Sequence, residues 1–156
     1  MTLEEITALE YEWMAKHPYG RMKDLHAACE QMGIYDAWKN IFEQYVILAR
    51  QGDLEALKRA LFLYWYSCSE PNEFSGIPSL GNDLTFEVLG MINDLAQKGE
   101  LDTELKWMLP YYYSITDWYI DRFEGFDKLK KISKEPDSSF DNRGQLGKYW
   151  KSIQGT

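Results

Sequence analysis

The spacing of apolar positions along the chain describes a succession of amphipathic helices. Leu3, Ile6, Leu9 and Trp13 recur at helical intervals and share one face. Thr2 and Glu5 have the spacing of a capping box, in which each side chain bonds the other residue's backbone N–H. His17-Pro18 followed by Tyr19-Gly20 ends this helix, because the residue before a proline disfavours helical backbone. A shorter helix is predicted over 22–32, closed by Gly33. Asp36 then stands where it can cap a third helix, whose buried stripe is Trp38, Ile41, Phe42, Tyr45 and Leu48. Gly52-Asp53 reads as a compact junction, a left-handed glycine followed by the N-cap of a fourth helix over 54–67.

SEPNEFSGIPSLGN, residues 69–82, reads as a loop long enough to draw attention as a place where function concentrates. A fifth helix is predicted to follow, capped by Asn82 or Asp83, with Leu84, Val88, Met91 or Ile92, and Leu95 turned inward. Gly99 ends it, and Glu100 or Asp102 opens a sixth. Pro110 falls inside that sixth helix, where the missing N–H leaves the Lys106 carbonyl without its bond and predicts a kink or a break. Helical spacing resumes through Tyr112, Ile115, Tyr119 and Phe123. The Gly-, Ser- and Lys-rich residues 125–156 read as an irregular tail that Phe140, Tyr149 and Trp150 can pin back onto the helices. Period-two alternation of β-branched residues is almost absent. The expected fold is all-α: a single-domain bundle of about six or seven helices over residues 1–156.

Within this pattern lies an internal repeat. LARQGDLEALKRALFLYWYSCSE (48–70) aligns without a gap on LAQKGELDTELKWMLPYYYSITD (95–117), at an offset of 47 residues. Matched positions share Leu, Ala, Gly, Leu, Tyr, Tyr and Ser, and most others are conservative pairs. The repeat predicts two stacked αα-hairpins, about 36–70 and 83–117, each ending in three aromatics, a serine and a carboxylate. Three successive helical positions span about 200° of arc, so the three rings of a trio cannot be buried alike. Tyr64 matches Tyr111 and Tyr66 matches Tyr113, and at least one ring of each pair is expected to fill the seam between the hairpins.

Composition narrows the function classes. The apolar fraction of 45% argues against disorder, and six Trp, eleven Tyr and seven Phe exceed what a core of this size requires. A net charge of −8 argues against nucleic-acid binding, which draws its affinity from Lys and Arg on phosphates. Residues 125–156 are locally basic, with Lys128, Lys130, Lys131 and Lys134 close together, and are expected to fold back along the acidic body. Cys29 and Cys68 belong to no metal-binding spacing and are expected to be free thiols. The acidic, helical beginning MTLEEITALE differs from a secretory leader, and no apolar run approaches a membrane span, so a cytoplasmic protein without membrane contact is expected.

Catalytic constellations are scarce. His17 and His26 are the only histidines and neither has a metal-ligand spacing; no nucleophile elbow, phosphate loop or dinucleotide fingerprint occurs. No cofactor and no metal are expected. Glu70, Asp117 and Asp121 are the one carboxylate grouping that could serve acid–base or metal chemistry. Aromatics beside acids also suit a surface that holds a basic protein, with stiff rings for contact area and carboxylates for steering. The candidate partner-binding set is Trp65, Glu70, Glu73, Phe74, Tyr112, Asp117, Trp118, Asp121 and Glu124.

The segments ALKRALFLYWYSCSEPNEFSGI and GELDTELKWMLPYYYSITDWYI resemble small all-α bacterial proteins, including helical immunity proteins of contact-dependent growth inhibition and other polymorphic toxin systems. That resemblance covers about 36–124, rests on pattern, and carries no signature residue. It implies a non-catalytic protein that binds a cognate toxin domain, with a basic nuclease as the expected class. Two other readings stay open: a small carboxylate-dependent enzyme or metal protein, and a structural subunit that forms a homodimer through exposed aromatics.

Overall fold

The computed structural model describes residues 1–19, 23–115 and 135–154, and every regular element among them is helical. The helices are α1 (Leu3–Lys16), α2 (Leu25–Gln31), α3 (Ile34–Arg50), α4 (Leu54–Ser69), α5 (Asn72–Ser75), α6 (Asn82–Gln97), α7 (Thr103–Ile115) and α8 (Gly144–Gln154). The capping box forms as expected: Glu5 N–H donates to Thr2 Oγ1 at 3.1 Å and Thr2 N–H to Glu5 Oε2 at 2.8 Å. Two expected caps do not form. Asp36 lies inside the first turn of α3, which starts from left-handed Gly33, and α6 starts from Gly81 with neither Asn82 nor Asp83 capping it.

Helix α4 is the axis of the bundle, packing against α3, α5, α6, α7 and α8. Its residues from Ala56 to Trp65 are buried on every side, including Lys58 and Arg59. A helix covered all round has no solvent face on which to place charge, so those cations must find partners.

The repeat is genuine at its turns. Asp53 N–H bonds the Leu48 carbonyl at 3.1 Å and Gly52 N–H that of Ala49 at 3.0 Å; Glu100 and Gly99 make the same two bonds to Leu95 and Ala96, at 2.8 and 3.2 Å. Both are Schellman closures, with Gly52 at φ 94° and Gly99 at φ 69° in the left-handed region. The units diverge afterwards. Asp53 caps α4 directly, through a 2.9 Å bond from Ala56 N–H. In the second unit the cap is Asp102, two residues beyond the matching turn position, which takes Leu105 N–H at 2.8 Å. Lys58 of α4 holds Asp102 at 2.6 Å, and α7 packs on α4, with little interface to α6. The expected second hairpin is therefore open: two extra residues and an ion pair direct α7 onto the first unit. Helix α7 runs through Pro110 to Ile115 without a break.

The largest departure from expectation is the tail. Residues Gly144–Gln154 form α8, which packs against α1 and α4. Phe140 and Trp150 are buried and Tyr149 is half-buried, so the three aromatics do pin this segment down. The start of α8 is held by Glu10, whose buried carboxylate accepts Gln145 N–H at 2.8 Å and the Tyr45 hydroxyl. Arg143 donates two bonds to Glu55 at 2.8 and 2.7 Å and two to Glu104 at 3.0 and 2.5 Å.

Burial alone would raise the Glu104 pKa, but the Arg143 hydrogen bonds and the charges of Arg143 and Lys58 outweigh it and bring it down to about 2. A depressed folded-state pKa contributes stability that is fully present above the unfolded value near 4.5 and is lost as pH falls towards about 2. The upper bound is about 3 kcal/mol, reduced by solvent screening where the site opens. Glu10 acts in the opposite sense: burial raises its pKa despite the lowering effect of its bonds and of Arg59, so its cost is relieved as pH falls. Urea unfolding of wild type and Glu104→Gln should show a stability gap at pH 7 that closes between pH 4.5 and 2; a gap independent of pH would contradict this.

Candidate functional site

The candidate set divides in three. Trp65 and Tyr112 are core residues, each only 1% exposed, which removes them from any contact surface and corrects their expected role. Asp117, Trp118, Asp121 and Glu124 lie outside the described residues. Glu70, Glu73 and Phe74 lie together at the C-terminal end of α4 and on α5, with Glu70 and Phe74 exposed.

The reason Trp65 and Tyr112 are buried is the repeat itself. They are matched positions, and the Trp65 indole donates to the Tyr112 carbonyl at 3.2 Å with their rings 4.7 Å apart. The Tyr112 hydroxyl accepts the Trp150 indole at 3.1 Å, and Tyr111 and Tyr149 bond through their hydroxyls at 2.6 Å. The seam is thus centred on the middle ring of each trio, which was expected at the surface, and Tyr111 packs beside them, 6.0 Å from the Trp65 ring. Tyr66, Tyr111 and Tyr113 are half-buried around it. Much of the aromatic surplus is taken up here, between α4, α7 and α8, by offset and edge contacts such as Trp107 on Trp150 at 4.5 Å.

Helix α5 turns residues 69–82 from a plain loop into a supported tip. Its start follows Pro71, and it ends at Gly76, where an added Cβ would stand 2.8 Å from Ile34 Cγ2. Beneath it Cys29 donates to the Glu73 carbonyl at 3.7 Å, and Ile77 and Leu80 sink into the core. Phe74, 58% exposed, is carried at the top of this anchored turn with Glu73 beside it. An exposed ring on a fixed backbone loses little freedom on contact, which is what a partner surface needs.

Tyr19, 51% exposed, was not legible as part of this region. It reaches it through His17, whose ring lies 4.4 Å from the Tyr19 ring. His17 is buried, and both ring nitrogens lack a hydrogen bond among the described residues. Burial pushes its pKa down, with the charge of Lys148 acting in the same sense and the Glu73 backbone in the other. The only signal for Tyr19 in the sequence is its place between proline and glycine in a turn. Its φ of 44° is a left-handed conformation uncommon for a side chain of this size.

Among the described residues no group of three or more His, Cys, Asp or Glu side chains is placed to hold a metal ion, and no helix is long and apolar enough to cross a membrane. Cys29 and Cys68 are free thiols. No family model, curated protein or solved structure matches this chain.

The burial pattern separates structural rings from available ones by measurement. Trp65→Ala removes a fully buried ring and should cost about 3–5 kcal/mol. Phe74→Ala should leave stability within about 0.5 kcal/mol of wild type. Chemical denaturation checks both; a large loss from Phe74→Ala would mean that its ring supports the fold and is not free for a partner.

Proposed function

We propose that this chain is a non-catalytic protein-binding module of the immunity type, which neutralises a cognate, basic, nuclease-class toxin domain in the cytoplasm. The observation that carries the reading is the exposed Phe74 on the anchored α5 turn, flanked by the carboxylates of Glu70 and Glu73, on a body of net charge −8. Acids around an apolar ring draw a basic protein in and then give it a desolvated contact. A nuclease that grips phosphate is basic at its working surface, so an acidic body competes for the same residues. The pattern resemblance to helical immunity proteins points the same way.

The contact set under this reading is Glu70, Glu73, Phe74 and Tyr19, with Asp117, Trp118, Asp121 and Glu124 retained from the sequence. The enzyme or metal reading depends on Asp117 and Asp121, which lie outside the described residues, and no described feature favours it or the homodimer.

Affinity capture from the native cell, at low and moderate salt, tests the proposal when followed by an activity assay of whatever is retained. A basic toxin-class protein held one to one and inhibited by the wild-type chain is the expected result. Glu70→Lys/Glu73→Lys with Phe74→Ala should weaken that complex at least about a hundredfold, as expected for a hot-spot ring and its steering charges, with the fold intact. Capture of nothing, or inhibition unaffected by the triple variant, overturns it.

A further inference from the structure

At the opposite end of α4, about 24 Å from Glu70 by helical rise over its 16 residues, the two Schellman turns border an open cleft. Its volume is about 380 Å³, at the small end of the range that small-molecule sites occupy. The floor is apolar, made by Leu57 of α4 and by Met91 and Leu95 of α6. The rim is acidic, made by Asp53, Asp94 and Glu100.

The repeat builds this arrangement. Glu100 is tied above Leu95 by its N–H bond to the Leu95 carbonyl, and Asp53 is held at the matching place of the first turn by its bond to Leu48. One oxygen of Asp53 caps α4, which leaves the other for a ligand. Nearby cations do not neutralise the rim. Arg50 is engaged by Glu87, through bonds of 2.5 and 2.8 Å, and Lys98 forms no ion pair with Asp94 or Glu100 among the described residues. Asp94 and Glu100 are exposed carboxylates whose removal disturbs no cap and no ion pair.

We propose that this cleft binds a small hydrophobic organic cation: an amine carrying an apolar group of about eight carbons, a size suited to a site of this volume. The apolar floor takes the hydrocarbon, and Met91 favours an aromatic one through its sulfur. The rim takes the ammonium and rejects carboxylates of the same shape. A free small molecule with an apolar group fits a cleft of this volume better than a lysine side chain, whose stem fills less of the apolar floor. This site is independent of the protein-binding reading, since it uses none of the residues assigned there.

The test uses the full chain and 2-phenylethylammonium, followed by the Met91 methyl and the amide signals of residues 94–101 in NMR titration. Saturable shifts with a Kd of about 1 mM or tighter are expected. 2-Phenylethanol should bind at least about tenfold more weakly, and 3-phenylpropionate should cause no shift at these signals. Asp94→Asn/Glu100→Gln should weaken the amine about tenfold without changing unfolding; Asp53 is left intact because it caps α4. Absence of saturation, equal binding of the alcohol, an unaffected double variant, or tighter binding of N-acetyl-lysine amide would each overturn the proposal.

Discussion

The Arg143 guanidinium is the constraint from which the arrangement of the bundle follows. It bridges Glu55 of α4 and Glu104 of α7, and it stands at the residue before α8 begins. Around it Lys58 pairs with Asp102 and Glu104, while Arg59 bonds Glu55, Thr7 and Tyr45. Tyr45 in turn donates to Glu10, which holds the first turn of α8. Removing one member of such a buried set leaves its partner charged and unpaired, at a cost of about 3–5 kcal/mol. A chain of polar contacts thus ties α1, α3, α4, α7 and α8 into one geometry that apolar packing alone would leave open to sliding.

That frame decides what is available for function. With α4 clamped along its N-terminal half by charge and along its C-terminal half by the Trp65–Tyr112 seam, its two ends are fixed platforms. One carries the α5 turn with Phe74; the other carries the acidic cleft. Neither needs the aromatic trios on the surface. The phrases YWYSCSEP and YYYSITDW recur because each supplies the middle ring of one seam, and the first places Glu70 at the end of α4. The functional reading accordingly rests on the tip residues and on net charge.

Much of the fold was legible because it is written locally. The capping box, the α3 stripe and both Gly-acid closures depend on residues within one or two turns of each other, and each formed. What escaped depends on distant contacts. Helix α8 contains Gly144 and Gly147 and a charged surround, which read as breakers, yet it is secured by Glu10 and Glu55, 135 and 88 residues away. Glu10 lies on the apolar face of α1, one turn from Ile6 and two from Leu3, and the partners that make a carboxylate tolerable there, Tyr45 and Gln145, are distant in sequence. For the candidate site, Glu70, Glu73 and Phe74 were legible as a loop with acids and a ring. The error over Trp65 was one of helical phase: in a helix covered on all sides, which ring of three points inward is set by its neighbours.

The most direct test is amide hydrogen exchange on Arg143→Met, which keeps volume near the site and removes the charge. If the Arg143 contacts hold the bundle together, α8 amides should exchange at least about a hundredfold faster, while the α3 and central α4 amides stay protected, because local and global opening separate once the clamp is gone. Protection in α8 equal to that of wild type would contradict the claim and assign the docking of α8 to Phe140 and Trp150 alone.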